Sequence, residues 1–346
     1  MLPTLIKTND MKENNKTLLN IKDLHVGFKM RQGFVKAVNG VSLKLEKGRI
    51  LALVGESGSG KSVTARSILR IESPGKITKG NIIYDSPNKG MLNLEELNPN
   101  SKLIRSIRWK EIAMIFQEPM TSFGPMHTFE NQISEALFLH ENITKEEAYI
   151  RTVDSLQQVG MPRPEKVMKQ FPHQISGGMR QRAMIAMALV CNPEILIADE
   201  PTTALDVSTE AQILKVLRER QQKLNTSILY ITHNLGVVFN IADDVAVMYL
   251  GEVIEKAPVS DLFNSPKHPY TEALLNAIPR IDRSHEEQKT TVIQGNIPDP
   301  YNHPSGCKFH PRCTKFMKGV CDVVKPELTE IDPYRDVACH LYDPKE

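Results

Sequence analysis

Ile175-Ser176-Gly177-Gly178-Met179-Arg180-Gln181 decides the fold of this chain, because of what stands on either side of it. Upstream lies Gly55-Glu56-Ser57-Gly58-Ser59-Gly60-Lys61-Ser62, and downstream Ile195-Leu196-Ile197-Ala198-Asp199-Glu200. A Ser-Gly-Gly turn entering a helix lets backbone amides approach an anion where the helix dipole favours negative charge. In isolation it reads as a plain helix cap with a flexible turn. Between a phosphate loop and an acidic strand it reads as part of a nucleotide site.

The upstream stretch fits G-x-x-x-x-G-K-[ST] at every position and sits between an apolar strand at 49–54 and a helix opening at Lys61. Its glycines let backbone N–H groups wrap phosphates, Lys61 reaches the β- and γ-phosphates, and the Ser62 hydroxyl ligates Mg²⁺. The downstream stretch puts Asp199 at the end of a buried strand, placed to hold the Mg²⁺ shell. Glu200, the next residue, is placed to take a proton from an attacking water. Three polar residues at strand ends extend the set. Gln117 follows 112–116 and is expected to sense metal and water. His233 follows 227–232 and is expected to hydrogen-bond the γ-phosphate. Asp206 follows Ala204-Leu205 and is expected to meet a neighbouring subunit. Phe28 is the candidate for stacking on adenine, with Phe34 the competing one.

Composition narrows the class. The 346 residues are 40% hydrophobic and 24% charged, with 43 basic against 41 acidic side chains. That balance gives no global field toward nucleic acid. Apolar runs such as 50–54, 183–191 and 245–250 fall short of the roughly 20 residues a membrane helix needs. Residues 1–18 mix Lys, Asp, Glu and Asn without an apolar core, which predicts a loose arm, no signal peptide and a cytoplasmic protein.

Pattern along the chain predicts an α/β nucleotide domain over 19–254. Segments 20–28 and 35–45 alternate as antiparallel strands, and a hairpin around 81–84 turns at Ser86-Pro87-Asn88. From about 128 to 190 the period becomes helical, with helices at 129–139, 145–159 and 178–190, a helical insertion. Strands at 195–199, 227–232 and 244–249 then alternate with helices, the sign of a largely parallel sheet. Residues 255–346 form a Pro- and Cys-rich C-terminal region, chemically distinct after 290.

Four of the five cysteines, Cys307, Cys313, Cys321 and Cys339, fall in that region. Their spacing matches neither a paired zinc ribbon nor the usual ferredoxin runs. Spacing alone leaves zinc, iron–sulfur and free thiols open. Cys191 reads as a small buried hydrophobe.

In this order the motifs resemble the ATP-binding-cassette (ABC) transporter ATPases over about 20–255. Gly55–Ser62 corresponds to Walker A, Gln117 to the Q-loop, 175–181 to the signature, 195–200 to Walker B, 204–206 to the D-loop and His233 to the switch. The family's usual signature is Leu-Ser-Gly-Gly-Gln; Ile175 and Met179 depart from it. Phe171–Arg182, Gln117-Glu118-Pro119-Met120-Thr121-Ser122 and Lys267-His268-Pro269-Tyr270-Thr271 resemble the oligopeptide/dipeptide importer branch, and the first of its two paired ATPase subunits. Gly124-Pro125 stands where that branch has Asn-Pro, in the segment that faces the membrane subunits.

The resemblance implies a P-loop NTPase core of ABC type with an antiparallel subdomain and helical insertion. It implies ATP and Mg²⁺ as ligands and a head-to-tail pair in which Ser176, Gly177 and Gly178 contact nucleotide held by the partner's Walker A. A second homologous ATPase subunit (or a second copy), two transmembrane permeases and an extracytoplasmic binding protein are the implied partners, at the cytoplasmic face of a membrane. The cargo it implies is peptide, with oligosaccharide or nickel as alternatives. Soluble ABC ATPases of repair or translation fit poorly, since one copy of each motif and no long heptad coil are present. At the four cysteines the resemblance implies a [4Fe–4S] cluster, zinc being the alternative, with His303, His310 and His340 as neighbours.

Overall fold

The computed structural model describes residues 16–118, 122–203, 205–278, 293 and 295–343. Most of the expected N-terminal arm, Pro119, Met120 and Thr121 of the Q-loop segment, and Ala204 of the D-loop lie outside them.

Two long strands, β1 (Thr17–Met30) and β2 (Gly33–Glu46), open the chain. Their alternation turns Leu19, Ile21, Val41, Leu43 and Leu45 inward, the period-two pattern of a sheet covered on one face; a register shift after Ile21 brings Leu24 and Val26 to the same core. β3 (Ile50–Val54) is buried at all five positions because a parallel strand is covered on both faces. It runs through the phosphate loop into α1 (Lys61–Ile68). β4 (Lys76–Ser86) and β5 (Gly90–Asn93) form the predicted hairpin. α2 (Lys102–Ile107), capped by the Ser101 side chain, leads to β6 (Ile112–Ile115).

The helical segment comprises α3 (Phe129–His140), α4 (Lys145–Gln158), α5 (Pro164–Val167) and α6 (Gly177–Leu189). Thr128 and Thr144 cap α3 and α4, the latter with Glu147 in a reciprocal capping box. The α/β alternation resumes with β7 (Ile195–Asp199), α7 (Val207–Leu224), β8 (Ser227–Thr232), α8 (Leu235–Ile241) and β9 (Asp244–Tyr249). β10 (Glu252–Pro258), α9 (Val259–Asn264), α10 (Pro269–Asn276) and the short strands β11 (Thr329–Asp332) and β12 (Arg335–Val337) follow.

Two sheets result: a four-stranded antiparallel one, β2-β1-β4-β5, and an eight-stranded one, β11-β12-β10-β9-β3-β8-β7-β6. In the second, β6, β7, β8, β3 and β9 are parallel in sequence of contact. Val54 pairs with Thr232, Asp199 with Ile231, and Ile115 with Ala198. The residues that follow these strands therefore emerge along one edge. Open parallel sheets bind ligands outside the carboxyl ends of their strands.

The C-terminal strands extend this same large sheet. β12 is joined to β10 across register pairs Glu255↔Val337 and Lys256↔Asp336. Glu255 is fully buried; its carboxylate takes the Arg335 guanidinium at 3.0 Å and the Lys267 and His268 amides at 2.9 Å. So the Lys-His-Pro-Tyr-Thr stretch is fixed by a buried carboxylate, and His268 in turn caps α10 by accepting from the Tyr270 amide.

Candidate nucleotide-binding site

Gly55 and Gly60 show why this loop must be glycine-rich. A Cβ on Gly55 would stand 2.2 Å from the Met248 carbonyl oxygen, and one on Gly60 2.3 Å from that of Ala37. Both have left-handed φ values, 151° and 97°, that other residues adopt only with strain. Ser57 and Gly58 are exposed at the loop tip, while Ser59 and Gly60 are buried beneath it. The Ser59 carbonyl accepts from the Gly251 amide at 3.0 Å, which ties the loop to the β9–β10 turn.

Lys61 is only 5% exposed, yet among the described residues it forms no ion pair. Its ammonium donates to the carbonyls of Gly55 and Glu56 at 2.8 and 2.9 Å and to Ser59 Oγ at 3.3 Å. Desolvation lowers its pKa, opposed by the charges of Glu200, Asp199 and Glu56. A desolvated ammonium held by neutral carbonyls is poised to exchange them for phosphate oxygens.

Ser62 Oγ donates to Asp199 Oδ1 at 2.9 Å. Asp199 is fully buried, and its Oδ2 has no hydrogen-bond partner among the described residues. Burial raises its pKa, with Ser62 and nearby cations pulling the other way. A buried carboxylate oxygen without a donor, beside a serine hydroxyl, fits a hard divalent cation. Of the residues expected at Mg²⁺, Ser62 and Asp199 are thus in contact, while Gln117 bonds the adjacent Glu200.

Glu200 is the hub of the remaining set. Oε1 lies 3.1 Å from His233 Nδ1, and Oε2 accepts from Gln117 Nε2 and from Thr203 Oγ1, each at 3.2 Å. Its backbone is in the left-handed region, φ 48°, a strain of the sort that clusters at functional sites. Gln117 and His233 arrive from different strands and are exposed, so they are free to turn toward a ligand. Thr203 was not read from the sequence, where it is one of two adjacent threonines with nothing to separate them.

The signature turn stands apart from this cluster. Ser176 caps α6, accepting from the Met179 amide at 3.3 Å. Above Gly177 a Cβ would meet nothing within 4 Å, and above Gly178 only Leu205 Cδ2 at 3.6 Å, so the surface there is open. Asp206 caps α7 by accepting from the Thr209 amide and Ser208 hydroxyl, bonds that pull its pKa well down. Phe28 is half-buried against the core of the small sheet and would meet a Cβ on Gly75. Phe34 is 49% exposed with its ring over Gly27.

All four C-terminal cysteines line one cavity, with His310 and His340 also on its wall. Its volume is about 10 Å³, less than one water needs in comfort. Burial raises the pKa of Cys307 and Cys339 to about 11, and each thiol is pushed further by the others. His310 Nδ1 lies 2.9 Å from the Cys307 carbonyl, and His340 Nε2 lies 2.8 Å from that of Val324. Among the described residues no group of three or more His, Cys, Asp or Glu side chains is arranged to hold a metal ion. The expected metal centre is therefore not seen as an assembled ligand set: the four thiols share the wall of one small, apolar cavity. Cys191 is buried as expected, its pKa raised to about 11 by burial.

Two links to the phosphate loop were missed. The Tyr270 hydroxyl accepts from the Glu56 amide at 2.9 Å. The Arg312 guanidinium grips both Glu56 carboxylate oxygens, at 2.7 and 3.0 Å. No sequence period connects positions 56 and 312; only the fold does.

Comparison with known proteins follows the same lines. The ABC transporter family matches residues 38–203, and the family described as oligopeptide/dipeptide transporter, C-terminal region, matches residues 254–321. The chain is 50% identical over 329 residues to the oligopeptide transport ATP-binding protein AppD of Bacillus subtilis (strain 168), covering 94% of this chain and 97% of that protein. It is 47% identical over 328 residues to the dipeptide transport ATP-binding protein DppD of the same organism, covering 94% and 95%. Among solved structures, the dimeric ATP-binding cassette MJ0796 in a post-hydrolysis state with ADP and Pi superposes with a TM-score of 0.63 at 25% identity, over 70% of this chain and 99% of that one. No helix among the described residues is long and apolar enough to cross a membrane. The chain belongs to the ABC transporter family, among its oligopeptide/dipeptide transport ATP-binding proteins.

Proposed function

We propose that this chain is the ATP-hydrolysing motor subunit of a peptide importer. The convergence of Gln117, Thr203 and His233 on Glu200, beside Lys61 and the Ser62–Asp199 pair, carries the reading. Lys61 trades its carbonyl partners for β- and γ-phosphate oxygens. Ser62 and Asp199 would hold Mg²⁺, with Gln117 near it; when bound, the ion spreads charge on the transferring phosphoryl group. Glu200 takes a proton from the attacking water. His233 stays on Glu200 until a γ-phosphate is there to accept its hydrogen bond.

Phosphoryl transfer here is chiefly positioning and charge stabilisation, and half of the positioning comes from a second cassette. Ser176, Gly177 and Gly178 cap nucleotide on a partner, Asp206 lies at that interface, and Phe28 stacks on adenine, with Phe34 the more accessible ring. The open surface over Gly177 and the dimeric form of the MJ0796 cassette support this. The partner is proposed to be a paralogous ATPase subunit, working with two permeases and an extracytoplasmic binding protein at the cytoplasmic membrane face. For residues 307–339 we propose a [4Fe–4S] group held by the four thiolates, supported by their common cavity; iron and sulfide analysis after anaerobic purification tests it. The motor reading is tested by reconstituting the chain with its partner ATPase, permeases and binding protein in vesicles. Peptide uptake that needs ATP and Lys61 supports it, and uptake unaffected by Lys61→Ala refutes it.

A further inference from the structure

Every polar group of Glu56 is fixed. Its carbonyl accepts from Lys61, its amide donates to the Tyr270 hydroxyl, and its carboxylate is forked by Arg312. Two of these three partners come from beyond residue 254, outside the stretch that carries the nucleotide motifs. Tyr270 is fully buried in an aromatic cluster with Tyr249 and Phe309. Arg312 is 9% exposed, and Nη1 also donates to the Tyr249 hydroxyl at 3.3 Å. The short turn that carries Arg312, His310–Arg312, lies between Cys307 and Cys313. The cysteine-bearing segment is thereby braced on the phosphate loop itself.

We infer that Arg312 is a positioning residue for the phosphate loop: by forking Glu56 it holds the loop open for triphosphate and cancels a carboxylate that would otherwise repel it. This deepens the ATPase reading and rests on it. The charge acts locally. Glu56 is one of the three carboxylates felt by the Lys61 ammonium, so its charge reaches the phosphate site. A bidentate guanidinium both neutralises it and fixes its plane. A lysine at 312 would neutralise without fixing.

The test uses the full-length chain and a fluorescent ATP analogue with Mg²⁺, read as equilibrium affinity alongside steady-state kcat and KM with the partner ATPase present. Arg312→Met is expected to weaken nucleotide binding about tenfold, through KM with kcat little changed. Adding Glu56→Gln to Arg312→Met removes the uncompensated carboxylate and is expected to recover most of that loss. Arg312→Lys, the variant safest for folding, is expected to fall between wild type and Arg312→Met. Such a charge rescue is not expected of a residue that only supports the fold. Affinity for Arg312→Met and Arg312→Lys equal to wild type, or a loss that Glu56→Gln leaves untouched, overturns the inference. Failure of the wild-type chain to bind the analogue at all would instead overturn the ATPase reading.

Discussion

Glu200 Oε1 and His233 Nδ1 stand 3.1 Å apart, although one follows β7 and the other follows β8. The contact exists because Asp199 pairs with Ile231 in the parallel register. It makes His233 a holder of the carboxylate, and its proposed hold on phosphate has to follow from there. His233→Ala is expected to lower kcat about a hundredfold with nucleotide affinity nearly kept. Steady-state phosphate release against analogue binding measures the split.

Asp199→Asn keeps the shape of the buried side chain and removes the charge that the proposed Mg²⁺ site needs. Because Asp199 Oδ2 has no other partner among the described residues, the change should not unfold the strand. The Mg²⁺ concentration for half-maximal activity is expected to rise at least about tenfold. A metal titration at saturating ATP checks this.

Much of the site was legible because its residues announce themselves at strand ends. Gly55–Ser62, Gln117, Asp199, Glu200 and His233 each follow an apolar run, and the parallel register gathers them. The signature glycines were legible from order alone, being framed by the other two motifs. What the sequence hid were contacts that only folding creates. β12 is three residues long, too short for periodicity, and is held by a buried Glu255–Arg335 pair. β4 starts at Lys76, several residues before the hairpin read at 81–84, because its first residues lie on the exposed side and carry no apolar alternation. Arg312 and Glu56 meet across the whole chain. The four thiols, legible as a group, face a cavity that no spacing rule describes.

Arg335→Met strands Glu255, which is fully buried, with the Lys267 and His268 amides as its remaining partners among the described residues. Breaking a buried pair from one side costs about 3–5 kcal/mol. The unfolding free energy from chemical denaturation should fall by that order, and Glu255→Gln with Arg335→Met should recover part of it.

His268 is buried, with its pKa pushed down to about 3 by desolvation. In the unfolded chain it titrates near 6.5, so below that pH the unfolded state binds the extra proton. Stability is therefore full above about pH 6.5 and falls as pH drops toward the folded value, by up to about 1.4 kcal/mol per pH unit. His268→Asn keeps an acceptor for the Tyr270 amide and should flatten the stability profile between pH 6.5 and 5. Denaturation midpoints across that range decide it.

In the proposed mechanism Glu200 activates the water at a site completed by a second cassette. The most direct test is a single-turnover measurement on Glu200→Gln, mixed with the partner ATPase, Mg²⁺ and labelled ATP. The expected result is ATP bound and a stable nucleotide-bridged pair by size, with cleavage slowed about a hundredfold or more. Cleavage at the wild-type rate, or ATP bound without any pairing, would contradict it.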